Sequence, residues 1–174
     1  VEDAFEGDLL AVHIEQIRLN RDYGWSRQGP RFGSLTGEAP GKALLYNEPI
    51  PEIFFAWELD LQRNVGILGL PNSRIARVEV PLRPFLGSIG VAPRFGRVEP
   101  TLTPGEYGGN MDCVETTAGS TLYLPVWVEG AYLAFGDVHA VQGDGEVNGT
   151  AVETTAEVRL RIEVLRGRRA EWPR

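Results

Sequence analysis

The sequence is poor in several residue types, and each shortage excludes a class of protein. Its 174 residues include one Cys, one Met and two His. Because Cys113 has no second cysteine to pair with, a scaffold held by internal disulfides is excluded. With only two histidines, a metal site would have to rely on carboxylates or on ligands outside this chain. No apolar run reaches the roughly 18 residues that a membrane span needs, so we expect no membrane partner.

Basic residues are also in the minority. Seventeen Lys and Arg face 24 Asp and Glu, giving a net charge of -7 and a pI of about 4.9. Nucleic-acid binding needs clustered Lys and Arg facing phosphates, so we expect no nucleic-acid partner. A lone cysteine is compatible with a reducing compartment such as the cytoplasm.

What the sequence has in abundance is alternation of period two. Leu10, Val12 and Ile14 alternate with less apolar neighbours, and Val158, Leu160, Ile162 and Val164 alternate with charged ones. This spacing is typical of strands with one buried face. Helical spacing is broken throughout by the 21 Gly and 12 Pro, with prolines recurring between Pro49 and Pro104. The sequence therefore predicts an all-β fold, mainly antiparallel and of sandwich or barrel-like form, with long Gly/Pro loops and little helix.

The sequence also predicts a hairpin near residue 130 and a single domain. Two apolar runs, residues 123–128 and 131–135, flank Glu129 and Gly130, which predicts a hairpin. Repeats, low-complexity segments and linkers are absent. We therefore expect a single β-rich domain over residues 1–174.

The loop at residues 136–146 contains several side chains of the types that bind metals or transfer protons. Asp137 and His139 are two residues apart, so in an extended segment both would point to one face. An imidazole beside a carboxylate suits a metal site or a general base. Gln142, Asp144 and Glu146 follow within a few residues. We interpret the cluster as functional, although Asp144 with Gly145 alone would also suit an ordinary turn.

The loop at residues 105–113 also places two polar side chains at a spacing of two residues. Asn110 and Asp112 share a face of an extended segment, and Cys113 follows directly. A thiol nucleophile needs an adjacent base, and Cys113 faces away from Asp112, so a buried inert thiol is the favoured interpretation. His13 lies on a strand face with Glu15 and is interpreted as a structural histidine. Ser88 lacks the surroundings of a nucleophilic serine.

Four motifs, in order, resemble the acetamidase/formamidase family: RPFLGSIGVAP at residues 83–93, GGNMD at 108–112, GSTLYLPV at 119–126 and GDVHAVQGDGEV at 136–147. The resemblance covers roughly residues 7–165. It implies a predominantly β fold, a divalent metal ion, a cytoplasmic homo-oligomer, and hydrolysis of formamide and acetamide to the carboxylate and ammonia.

The resemblance also implies that the site uses Asn110, Asp112, Asp137, His139, Gln142, Asp144 and Glu146. We hypothesise the following roles for these residues in metal-assisted amide hydrolysis. Metal ligands would be Asp112, Asp137 and His139, with zinc as the first candidate ion and calcium or magnesium as alternatives. Glu146 or Asp144 would act as the general base that takes a proton from water. Asn110 and Gln142 would bind the substrate and hold its carbonyl oxygen.

Two other functions stay open from the sequence. One is a metal-free amidase that uses Cys113 as nucleophile, and the other is a non-catalytic β domain that binds a small ligand. The chain opens at Val1 with its only methionine at Met111. The family has an upstream segment with a histidine, and we expect that segment to be missing here. A separate chain that supplies it is a possible partner.

Overall fold

The computed structural model describes residues 1–30, 32–34 and 50–174. Within these residues the regular structure is almost entirely β, with one three-residue 3-10 turn at Arg94–Gly96. The strands are β1 Leu9–Leu19, β2 Tyr23–Gln28, β3 Ile53–Asp60, β4 Val65–Leu70, β5 Ala76–Pro81, β6 Phe85–Gly90, β7 Gly108–Asn110, β8 Thr121–Pro125, β9 Ala134–His139, β10 Glu153–Thr154 and β11 Ala156–Leu165. The predicted all-β, antiparallel class is confirmed. Pro49 lies outside the described residues.

The chain divides into two compact units. The first contains Val1–Arg18, Phe85–Val138 and Glu157–Arg174, and the second contains Leu19–Pro84 and His139–Ala156. The single domain over residues 1–174 stays a prediction. In the described part of the chain, no helix is long and apolar enough to cross a membrane.

The first unit is built on a three-stranded sheet in the order β11-β1-β8. Leu10, Val12 and Ile14 of β1 are at most 1% exposed, as their alternate spacing predicted. β8 runs antiparallel to β1, with Leu10 opposite Leu124. Burying each such side chain stabilises the unit by about 1.5–3 kcal/mol. The core residues are Ala4, Leu10, Val12, Ile14, Leu86, Ile89, Val91, Tyr107, Leu122, Leu124, Val126 and Ala131.

Strand β11 follows the predicted alternation for most of its length. Val158, Leu160 and Val164 pack against the core of the first unit, whereas Ile162 is 38% exposed. One apolar residue of the stripe therefore lies outside the core.

The β6–β7 pair carries polar side chains of the first unit. Ser88 lies opposite Asn110, and Gly90 lies opposite Gly108. Gly108 has φ +86°, and a Cβ there would lie 2.5 Å from the carbonyl oxygen of Ile89. Glycine is thus required for β7 to approach β6, and this approach sets the position of Asn110.

The predicted hairpin around Glu129 and Gly130 is wrong. β8 pairs with β1, and β9 belongs to a different sheet. The backbone explains the difference, because Ala131 and Tyr132 have left-handed φ values of 55° and 52° and interrupt the extended run.

The second unit is a sheet in the order β5-β4-β3-β2-β10. Neighbouring strands are antiparallel, with Trp57 opposite Leu68 and Ser26 opposite Phe55. Among the described residues, its buried apolar cluster contains Leu59, Leu82, Ala140 and Val152. The backbone N–H of Ala140 donates to the carbonyl of Val152 at 2.8 Å, which ties the residue after His139 to the residue before β10.

Candidate functional site

The first unit contains a hydrogen-bonded cluster of Ser88, Asn110, Asp112 and Asp137. The Ser88 hydroxyl donates to Oδ1 of Asn110 at 2.5 Å and lies 3.2 Å from Oδ2 of Asp137. Nδ2 of Asn110 donates to Oδ2 of Asp112 at 3.1 Å. The predicted proximity of Asn110 and Asp112 is confirmed by this bond. Ser88, which we set aside as a nucleophile, connects Asn110 with Asp137.

The backbone of both aspartates is left-handed. Asp112 has φ 47° and Asp137 has φ 55°, in a region that Asp tolerates better than most residues because its short side chain can bond locally. The backbone N–H of Asp112 donates to the carbonyl of Gly87 at 3.0 Å, which holds this turn against β6. Because Asp137 departs from the extended conformation, the spacing of Asp137 and His139 does not by itself set where Asp137 points.

The second unit holds His139, which is 1% exposed and lies at the end of β9. Its Nδ1 is 2.9 Å from Oε1 of Gln142. Its Nε2 is 3.5 Å from Oε2 of Glu153 and 3.8 Å from Oε1 of Glu146. The side chains of both glutamates are mostly buried, with 15% exposed for Glu153 and 18% for Glu146.

The chemistry of this group follows from the amide of Gln142. An amide oxygen can only accept, so Nδ1 of His139 carries the proton in this contact. In the neutral ring, Nε2 then presents a lone pair towards two carboxylates. A hydrogen-bond donor or a metal ion placed between Nε2 and these carboxylates would stabilise the arrangement. Histidine nitrogen and carboxylate oxygen are ligands that divalent ions use, so these residues could hold a metal.

The sequence motif placed two carboxylates after His139, and the structure separates them. Glu146 lies in the His139 group, whereas the Asp144 side chain is exposed. The sequence did not predict Glu153 as a site residue because it lies on β10, seven residues after Glu146 and outside the motif. Its position directly after the apolar residues Ala151 and Val152 is the sequence feature that could have indicated Glu153. Both of these residues are 5% exposed.

Cys113 has the environment of an unreactive thiol. Its Sγ donates to Oε2 of Glu115 at 3.1 Å. Burial raises the pKa of the Cys113 thiol, and the contact with Glu115 raises that pKa further. The thiolate that a nucleophile requires is therefore disfavoured, in agreement with the interpretation from sequence.

His13 has contacts typical of a structural histidine, in agreement with the interpretation from sequence. Its Nδ1 lies 2.9 Å from the Thr121 hydroxyl on the neighbouring strand β8, and its Nε2 lies 3.4 Å from Glu163 of β11. His13 thus bridges the two strands that flank β1.

Known proteins that are similar to this chain belong to the family that the motifs resemble. Residues 94–173 match the model of the Acetamidase/Formamidase family. Acetamidase from Mycolicibacterium smegmatis is 43% identical over 148 residues, which is 80% of this chain and 34% of that protein. This chain is a relative of the acetamidase/formamidase family.

An acetamidase of known structure and a formamidase are also similar to this chain. The crystal structure of acetamidase from Yersinia enterocolitica superposes with a TM-score of 0.83 and 34% identity, over 99% of this chain and 49% of that chain. Formamidase from Methylophilus methylotrophus is 36% identical over 67 residues, which is 38% of this chain and 16% of that protein. The chain thus spans about a third of the length of the curated acetamidase and half that of the solved one.

Proposed function

We propose that this chain hydrolyses the C–N bond of short aliphatic amides, formamide and acetamide, to the carboxylate and ammonia. The observation that carries the proposal is the buried His139, held by Gln142 and faced by Glu146 and Glu153. The similarity to an acetamidase and a formamidase supports the same reaction class.

Glu146 is the general base of this proposal. Its carboxylate takes a proton from water as the water oxygen bonds to the amide carbon, and returns that proton to the nitrogen as the C–N bond breaks. Glu146 is favoured over Asp144 because its side chain is mostly buried beside His139, whereas Asp144 is exposed. Burial keeps a base in a fixed position with little competing water.

A divalent metal ion belongs to the proposal, with Asp112, Asp137 and His139 as its protein ligands. When bound, such an ion would lower the pKa of water and polarise the amide carbonyl. The imidazole favours zinc over calcium or magnesium, which prefer all-oxygen sites. His139 meets one requirement of a zinc ligand, because Gln142 fixes its tautomer through Nδ1.

Asn110 and Gln142 are the proposed substrate-binding residues. Asn110 is held by Ser88 and Asp112, so its amide group is fixed in orientation and suited to hold the substrate's carbonyl oxygen. Gln142 carries a second role in this proposal, since its Oε1 also orients His139.

The proposal extends to the setting of the protein. Following the resemblance, we propose a homo-oligomer in the cytoplasm, with a separate chain that supplies the upstream segment as a possible further partner. Sedimentation of the purified chain, alone and with its cellular partners, tests the assembly.

The test of the activity compares the two histidines. Ammonia release from acetamide and formamide is measured with and without a chelator, beside metal analysis of the purified chain. We expect His139→Gln to abolish release and to lower the bound metal, whereas His13→Gln, whose side chain contacts Thr121 and Glu163, leaves both unchanged. Circular dichroism confirms that each variant is folded.

Two results would contradict the proposal. Ammonia release that persists in His139→Gln removes His139 from the mechanism. Binding of acetamide without turnover, in a folded and metal-loaded chain, indicates a non-catalytic binding domain instead.

A further inference from the structure

The second unit contains a pocket of about 580 Å³ whose floor is one face of the β2–β5 sheet. Alternate residues of three strands supply the apolar part of this floor, namely Phe55 and Trp57 of β3, Leu68 of β4 and Val80 of β5. All four are half-buried, whereas Phe54, the residue before Phe55, is 62% exposed on the other face. Within the described residues, the sheet thus keeps an apolar surface open on this side.

The remaining walls come from the segment after His139. Gln142 lines the pocket, and its Oε1 is the atom that contacts His139 Nδ1 at 2.9 Å. The pocket and the His139 group therefore share a side chain within one unit.

Four polar side chains of the lining, those of Ser26, Gln142, Asn148 and Thr150, are hydrogen-bonded to the protein itself. The Ser26 hydroxyl accepts a bond of 2.9 Å from Nε1 of Trp57, which fixes the indole in place. Nδ2 of Asn148 donates to the carbonyl of Arg27 at 2.9 Å, and the Thr150 hydroxyl accepts from the backbone N–H of Arg27 at 2.8 Å. Among the described residues that line the pocket, none carries a charged side chain. The surface offered to a ligand is thus uncharged and largely apolar.

The volume is large for the smallest amides. Water occupies about 30 Å³ per molecule in the liquid, and acetamide displaces roughly three times that volume. The pocket is about six times larger again, and falls within the roughly 300–1,000 Å³ of sites for much larger ligands.

We propose that this pocket binds the acyl chain of an uncharged primary amide longer than acetamide. The inference rests on the proposed amide hydrolysis and names its substrate class. The acyl chain lies on Phe55, Trp57, Leu68 and Val80, and the amide group lies by Gln142. Each additional methylene that leaves water raises kcat/KM by about fourfold until the floor is covered. A carboxylate on the acyl chain is rejected, because the described lining residues offer no group of opposite charge to offset its desolvation.

The experiment measures kcat/KM of the full 174-residue chain for acetamide, butanamide and hexanamide, with succinamate as the anionic counterpart of butanamide. We expect a rise along the neutral series and at least a tenfold loss for succinamate. Leu68→Ala should lower the hexanamide-to-acetamide ratio about tenfold. The matched variant Leu70→Ala, on the same strand but outside the lining, should leave that ratio unchanged.

The outcomes separate this inference from the proposed function. Acetamide turnover with a flat or falling series, or an equal effect of the two leucine variants, overturns the acyl pocket and leaves the amidase proposal intact. If no amide is hydrolysed, the amidase proposal fails, and calorimetric binding decides the pocket. Hexanamide that binds more tightly than acetamide, with the difference lost in Leu68→Ala, supports it, and equal or undetectable binding overturns it.

Discussion

Gly108 and Gly119 offer a matched test of why β7 begins with glycine. Both have left-handed φ, +86° and +91°, but a Cβ on Gly119 meets nothing within 4 Å. A Cβ on Gly108 would lie 2.5 Å from the carbonyl oxygen of Ile89 and 3.1 Å from Cδ2 of Leu124. Alanine at either position costs about 1 kcal/mol of backbone strain after the gain in unfolded-state entropy. Only at Gly108 is overpacking against backbone added, costing about 1–3 kcal/mol more.

We therefore expect Gly119→Ala to lower the free energy of unfolding by about 1 kcal/mol and Gly108→Ala by about 3 kcal/mol. Urea denaturation followed by circular dichroism measures both values, and an unchanged m-value shows that the difference is one of stability. Because β7 carries Asn110 opposite Ser88, Gly108→Ala should also weaken substrate binding. Equal destabilisation by the two variants would refute the close approach of β7 to β6 as the reason for glycine.

Three further predictions concern single side chains. Cys113 should react slowly with iodoacetamide at neutral pH because its pKa is raised, and Cys113→Ser should retain ammonia release; rapid labelling would contradict this. Backbone N–H groups of Gly167 and Phe5, with Arg166, lower the pKa of Asp8. Asp8→Asn should therefore destabilise the fold above pH 3.8, with the difference vanishing as the pH falls through the lowered pKa; urea midpoints across that range measure it. Gln142→Leu should weaken metal affinity about 10–100-fold, with partial recovery in Gln142→Glu, as followed by chelator competition.

The strands that the sequence predicted well are those whose faces differ in burial. In β1, Leu10, Val12 and Ile14 are buried as predicted, and the opposite face changes from the buried Leu9 and Ala11 to the half-buried His13 and the exposed Glu15. The apolar runs of the wrongly predicted hairpin have the right length, but the left-handed residues Ala131 and Tyr132 end the extended backbone. Neither side chain is of a type that predicts a left-handed conformation. Pairing partners depend on contacts between distant segments, which local pattern does not contain.

In the candidate site, too, contacts within one motif could be predicted from the sequence and contacts between distant segments could not. Residues within one motif, such as Asn110 with Asp112 or His139 with Gln142, could be grouped from spacing, and their hydrogen bonds are present. Glu153 could not, because β10 brings it to His139 through strand pairing rather than through sequence proximity. Ser88 was judged only as a nucleophile, whereas its contribution is a hydrogen bond to Asn110.

The left-handed backbone of Asp112 and Asp137 decides which substitutions can be interpreted. Alanine at either position removes a carboxylate and strains the main chain at once, so a loss of activity in an alanine scan would mix chemistry with folding. Asparagine removes the charge while keeping a side chain that suits this conformation, whereas glutamate keeps the charge and loses that suitability. Two independent demands, one from the backbone and one from the carboxylate, thus select the same amino acid. A comparison of Asn and Glu variants separates them, since Asn isolates the electrostatic demand and Glu the conformational one.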